Sequence, residues 1–226
     1  MNDLSKKGLV ELIGTFLLTF IGGAAIINGQ AGLIGVALAH GLTVAIVISA
    51  LGHISGGHIN PAVTIGFLVT RKIDLKEGGI YILSQLVGAV FAAFALKQFV
   101  PGAMNASLGG QSVAPSVDLG AAIGIEFLLT FFLVTAIFGT AVDERGTFQS
   151  IAGFGIGLVV TVDILAGGPL TGASMNPARS FGPALISGHW DNHLVYWIGP
   201  LLGGTIAALI YDTFIMNKAG KKGYSE

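Results

Sequence analysis

Six apolar runs, each close to the length of a bilayer crossing, limit this chain more than any other feature. They lie at about 9–28, 33–51, 80–99, 119–141, 150–167 and 194–216. A crossing needs roughly 20 predominantly apolar residues. Charged residues make up only 10% of the 226 positions, against about 25% in an ordinary soluble domain. That shortfall excludes an ordinary soluble enzyme and a disordered tail. A formal net charge of −1 leaves no basic face for a nucleic acid. With no cysteine there is no disulfide, thiolate metal site or Cys nucleophile. Three histidines in loops, His53, His189 and His193, give no metal-ligand spacing, and no nucleophile–base pair is visible. Neither catalysis, a metal nor a cofactor is therefore expected. The apolar start at Leu9 runs on into further apolar segments with no cleavage-type boundary, so it does not read as a cleavable signal. The fold class is an all-α membrane protein.

Two further apolar stretches, about 61–70 and 177–187, are too short to span. Each opens on the same tripeptide, Asn60-Pro61-Ala62 and Asn176-Pro177-Ala178. Proline suits the first helical position, where its missing N–H would be unpaired anyway. Asn60 and Asn176 therefore read as N-caps of two short helices.

The tripeptides are 116 residues apart. Glu11-Leu-Ile-Gly-Thr15 matches Glu126-Phe-Leu-Leu-Thr130, and Gly88 matches Gly203, both at an interval of 115. Each half holds three spans and one short helix. Three is odd, so the second half must enter the membrane inverted. The expectation is one domain over 1–226, built from inverted repeats at about 8–100 and 119–216, an arrangement typical of transport proteins. The short segments become re-entrant half-helices from opposite sides. Irregular backbone at that depth is tolerated only where it is buried in protein or lines a wet cavity, so a pore follows.

Lys6 and Lys7, the group Arg71, Lys72 and Lys76, then Arg145, and finally Lys218, Lys221 and Lys222 all fall on one side of six spans, hence the cytoplasmic side. The loop from Val100 to Asp118 has no Lys or Arg and reads as external. Lys97 sits at a span end and can snorkel. Arg179 follows the second tripeptide directly. A charge within a membrane segment usually faces a pathway. Three small-xxx-small pairs, Gly120/Gly124, Gly153/Gly157 and Gly199/Gly203, suit helix packing within or between subunits.

The segments Gly52-His-Ile-Ser-Gly-Gly-His-Ile-Asn-Pro-Ala62 and Thr171-Gly-Ala-Ser-Met-Asn-Pro-Ala-Arg-Ser180 resemble the aquaporin (major intrinsic protein) family. The resemblance covers about residues 8–216. Strings such as Ile164-Leu-Ala-Gly-Gly-Pro169 are similar to plant tonoplast-type and to archaeal or bacterial members. It implies six tilted transmembrane helices, two half-helices, and a water-conducting pore in each subunit of a homotetramer in a lipid bilayer. A prokaryotic plasma membrane with both termini cytoplasmic is the expected location.

By the same resemblance, Asn60 and Asn176 offer side-chain donors to a passing water where two positive helix ends meet. The carbonyls of Gly56, Gly57 and His58, and of Gly172, Ala173 and Ser174, accept from a file of waters. His40, Ile164, Ala173 and Arg179 form the outer selectivity filter. Glu11 and Glu126 brace the re-entrant loops by accepting backbone N–H bonds, and His58 lines the cytoplasmic half. His53, His189 and His193 read as loop or interface residues. Histidine on span two with isoleucine on span five departs from the water-strict pattern and resembles tonoplast-type filters, so small neutral solutes such as ammonia are expected beside water. A glycerol facilitator is the alternative, but Ser180 and Tyr196-Trp197 depart from that pattern. The rival from another class is an ion-coupled transporter using Glu11, Glu126 or Asp163; no role is assigned to Asp163.

Overall fold

Where a polar turn adjoins an apolar run, the helix is longer than the run. The computed structural model describes residues 3–30, 32–145 and 151–216, and among these there is no strand. The first helix, α1 (Asp3–Asn28), starts at Asp3 rather than near residue 9. Its polar first turns are held because Lys7 Nζ donates to Glu77 Oε1 at 2.9 Å. Next come α2 (Gly32–Ser55), the short α3 (Pro61–Val69) and α4 (Leu75–Phe99). The last begins at Leu75, not 80, because Asp74 caps it, its Oδ1 accepting from Glu77 N at 2.8 Å. A short 3-10 segment (Ala103–Gly109) leads to α5 (Leu119–Ile137), α6 (Ala152–Thr171), the short α7 (Pro177–Ser187) and α8 (Val195–Ile210). Helix α6 passes the expected end at 167 and stops only at Gly172, a left-handed cap at φ 82° whose N–H returns to Gly168 O. Among the described residues, six helices are long and apolar enough to cross a membrane, counting the π turns that extend α5 to Val142 and α8 to Ile215. Lys218, Lys221 and Lys222 lie outside the described residues.

Glycines set how closely the long helices approach. A side-chain carbon at Gly157 would strike Gly41 O and come within 2.7 Å of Ala45 Cβ; at Gly153 it would lie 2.6 Å from Ser49 Oγ. These contacts lock α2 to α6. On the other side, a carbon at Gly199 would sit 2.7 Å from Glu126 Cβ, and one at Gly203 would meet Phe127 O, so α5 packs on α8. Both pairs therefore act within the chain. Gly120 and Gly124 do not: nothing lies within 4 Å of a carbon at Gly124, and Gly120 meets only its own cap, Asp118. Gly157→Val should cost more than about 3 kcal/mol, because the obstacle includes backbone that cannot turn aside. The check is the yield of monodisperse protein after detergent extraction, which should collapse.

Beyond the ends of α5 and α8 lies a polar latch. Arg145 grips Asp143 with two bonds, Nε to Oδ1 at 2.9 Å and Nη2 to Oδ2 at 2.6 Å, and Nη2 also donates to Ile215 O at 2.9 Å. The Arg145 guanidinium holds the Asp143 carboxyl down at about 2. A depressed carboxylate contributes above its ordinary range and is lost only as pH falls through the lowered value. The stability gap between wild type and Asp143→Asn should thus be equal at about pH 5 and about pH 8. Thermal melts at the two pH values check this; a gap that closes by pH 5 contradicts it.

Candidate functional site

The two short helices point their N-termini at each other in the middle of the protein. Asn60 Oδ1 caps α3 by accepting from Ala62 N at 2.8 Å, and Asn176 Oδ1 caps α7 from Ala178 N at 3.1 Å and Arg179 N at 3.2 Å. The amide groups then cross over. Asn60 Nδ2 donates to Met175 O at 2.8 Å, and Asn176 Nδ2 donates to Ile59 O at 2.9 Å. Sequence reasoning left both NH₂ groups for water. In the structure each spends one hydrogen on the opposite loop, which fixes the direction of the other.

The loops ahead of the caps share a backbone pattern. Gly56, Gly57 and Ile59 in one, and Gly172, Ala173 and Met175 in the other, take positive φ. For the non-glycine members, Ile59 (44°), Ala173 (47°) and Met175 (54°), that conformation costs on the order of 1–3 kcal/mol each and must be held from outside. The holders are the two carboxylates. Glu11 accepts from Ser55 Oγ (2.7 Å), His58 N (2.9 Å), Ile59 N (2.5 Å) and Gln85 Nε2 (2.8 Å). Glu126 accepts from Thr171 Oγ1 (2.7 Å), Ser174 N (2.9 Å) and Met175 N (2.7 Å). Both are fully buried, and every contact is a donor, as a carboxylate requires. A second matched pair escaped the sequence reading. Tyr81 Oη donates to Ser55 O at 2.7 Å, and Tyr196 Oη donates to Thr171 O at 2.8 Å. Tyr81 and Tyr196 stand at the repeat interval of 115, and that signal could have found them.

Asn60 and Asn176 line a narrow central cavity of about 40 Å³ together with His40, Ile164, Ala173 and Arg179. The rest of the lining is largely apolar, including Leu18, Val44, Val63, Leu133, Ile156 and Val160. A narrow passage with few polar groups in an apolar lining gives water few partners. Of the six expected carbonyl residues, Gly57, His58, Ala173 and Ser174 line this cavity, and Gly56 lines the wider mouth below it. Gly172 lines neither. As the left-handed cap of α6 it packs against Gln111, where a side-chain carbon would sit 2.8 Å from Gln111 Cβ.

Arg179 is 3% exposed, and three of its five N–H groups have protein acceptors. Its Nε and Nη2 donate to His40 Nε2 at 3.2 and 2.9 Å, and its Nη1 donates to Gly109 O at 3.1 Å. Arginine only donates, so His40 Nε2 must accept. His40 Nδ1 lies 2.8 Å from Val36 O, which only accepts, so Nδ1 carries the hydrogen. Both ends agree on one neutral tautomer. Arg179 is thereby tied to His40 on α2 and to the backbone of Gly109 in the loop after α4. Gly109 was read only as part of an external loop. A backbone carbonyl leaves no side-chain signature, so nothing in the sequence marks it. The same loop supplies Gln111, whose Oε1 accepts from Ser180 Oγ at 2.9 Å.

His58 packs on Phe67 and Tyr81 and lines both cavity and mouth. His53 is on the last turn of α2, not in a loop, and lines the mouth. His189 and His193 are in the loop before α8; His193 Nε2 accepts from Trp197 Nε1 at 3.0 Å, and burial lowers its basicity. Asp163 is buried on α6 but lines no part of the cavity; among the described residues its Oδ2 has no partner. Glu11 and Glu126 are also absent from the cavity wall.

Comparison with known proteins defines the class. Residues 1–211 match the family model of the Major intrinsic protein. The chain belongs to that family: it is an integral, multi-pass membrane channel of the aquaporin kind, passive rather than ion-coupled, and not an enzyme. "Aquaporin TIP4-4" of Zea mays is 45% identical over 94% of this chain and 87% of its own length. "Aquaporin TIP1-1" of Arabidopsis thaliana is 40% identical over 95% and 89%. The X-ray structure of the aquaglyceroporin from Plasmodium falciparum superposes with a TM-score of 0.84 at 27% identity, covering 94% of this chain and 97% of that one.

Proposed function

We propose that this channel conducts water selectively against ions and passes neutral ammonia beside it, through a filter made by His40, Ile164, Ala173 and Arg179. One observation carries the reading: Arg179 is bound to His40 and Gly109 O, while Ile164 and Ala173 line the same cavity with apolar side chains. An aliphatic residue and a methyl group take less room there than a second imidazole. Ammonia accepts one hydrogen bond and donates three, so the carbonyls of Gly56, Gly57, His58, Ala173 and Ser174 serve it as they serve water. Gly172 contributes only its backbone turn.

Water reaching the centre gives its lone pairs to the remaining N–H of Asn60 and of Asn176. Each half-helix N-terminus carries about half a positive charge. Water is thus turned with its hydrogens outward on both sides, which breaks a proton wire, and cations meet a positive barrier. Glu11 and Glu126 brace the loops. Their full set of donors and their absence from the cavity wall speak against a coupling-ion role. The two halves act as inverted repeats of a single channel domain, and four copies form a homotetramer in the bilayer. The quoted relatives are plant proteins, which turns the proposal away from a prokaryotic plasma membrane; cytoplasmic termini rest on the Lys and Arg placement. Glycerol is the second reading, and Ser180 held by Gln111 gives its hydroxyls no carboxylate after Arg179.

The test uses proteoliposomes in an ammonium gradient, with internal alkalinisation as the signal. Wild type should alkalinise well above empty liposomes, and Ile164→His should lose most of that rate while keeping water flux. Equal ammonia rates in the two proteins would contradict the wide filter. In a glycerol gradient, sustained shrinkage is expected; rapid re-swelling would favour the glycerol reading.

A further inference from the structure

Both residues that hold Arg179, His40 and Gly109, pack against neighbouring glycines of α1. A side-chain carbon at Gly22 would fall on the His40 ring, striking Nε2 and coming within 2.6 Å of both Cδ2 and Cε1. Next to it, Gly23 Cα would lie only 2.5 Å from a side-chain carbon on Gly109, and a carbon at Gly23 would be 3.2 Å from Leu108 O. Gly109 itself takes φ +70°, so neither side of that contact accepts a side chain cheaply. Gly22 thus makes the space for the imidazole that takes two of the arginine's bonds. Gly23 lets the Leu108–Gly109 backbone come close, and the carbonyl of Gly109 takes the third.

We propose that Gly22 is a specificity-determining position of this pore, a positioning residue that sets the lean of Arg179 through His40. The inference rests on the proposed ammonia passage. The obstacle to a methyl group at 22 is a side chain that can rotate, not backbone. The consequence therefore falls on the filter more than on the fold. A displaced imidazole no longer accepts from Nε and Nη2. The guanidinium keeps Gly109 O, and its freed donors turn toward Ile164, across the passage. Water, being smaller in its demand and a good acceptor for those donors, still passes; ammonia loses its room. Losing a hydrogen bond to a charged group shifts such a two-position equilibrium roughly tenfold.

The experiment measures ammonia and water permeability in proteoliposomes for wild type, Gly22→Ala, His40→Ala and the double variant. Gly22→Ala should lower the ammonia-to-water ratio by about tenfold, the shift expected for that lost bond. In the His40→Ala background the same change should leave the ratio where His40→Ala alone puts it, since no ring remains to displace. A wild-type ratio in Gly22→Ala, or an equal fall in both backgrounds, overturns the proposal. If Gly22→Ala alone fails to assemble, a double variant that assembles and matches His40→Ala supports it. A double variant that also fails shows that Gly22 serves other packing and overturns it. Wild type that passes no ammonia at all would instead remove the filter reading beneath it.

Discussion

Arg179→Val should conduct water at about the wild-type rate and leak protons or small cations at least about tenfold faster. Arg179 is a buried full charge at the passage, and at an effective dielectric near 20 two unit charges 4 Å apart repel by about 4 kcal/mol. The two half-helix ends contribute only about half a charge each. The two halves sum to about one charge, so arginine supplies about half of the barrier, and valine removes that share without adding bulk. Water loses one donor but keeps the asparagines and the carbonyl row. Liposomes loaded with a pH dye, with potassium and valinomycin to set the voltage, read the leak. A variant as proton-tight as wild type would place the whole barrier at the asparagines.

Glu126→Gln, though nearly the same size, should be among the most damaging single changes outside the passage. Each oxygen of Glu126 faces a backbone N–H, Ser174 N on one side and Met175 N on the other. Thr171 Oγ1 can turn to accept; a backbone N–H cannot. Whichever way a glutamine is placed, its NH₂ opposes a donor, leaving at least two buried donors unpaired at about 1–3 kcal/mol each. The strained φ at Ala173 and Met175 then loses its restraint, and the loop that carries Asn176 and Arg179 moves with it. The expected result is a loss of roughly 3 kcal/mol or more in stability and water flux near that of empty liposomes. A variant with wild-type melting and flux would show that the brace is dispensable. Glu11→Gln should behave alike, for its oxygens face His58 N and Ile59 N.

Much of this site is visible in the amino-acid order because it was written twice. The tripeptides, Glu11 and Glu126 repeat at nearly one interval, and the half-helices start at Pro61 and Pro177. Arg179 stands out for the opposite reason, since a charge there has no match in Val63. What escaped is of two kinds. Helix starts at Asp3 and Leu75 were missed because hydropathy registers apolar runs, whereas caps and ion pairs such as Asp74 and Lys7–Glu77 extend helices into polar sequence. Gly109 and Gly22 were missed because they contribute a carbonyl and an empty space, and neither has a side chain to read. The crossed asparagine amides depend on Met175 O and Ile59 O, again backbone atoms.

Stopped-flow light scattering of proteoliposomes after a sucrose step tests the channel account most directly. It should show osmotic water permeability at least about tenfold above protein-free liposomes, with a low activation energy, no dependence on membrane voltage or pH gradient, and no accompanying proton flux. Folded, correctly inserted protein that shrinks no faster than lipid alone, or whose water flux carries protons with it, would contradict the account.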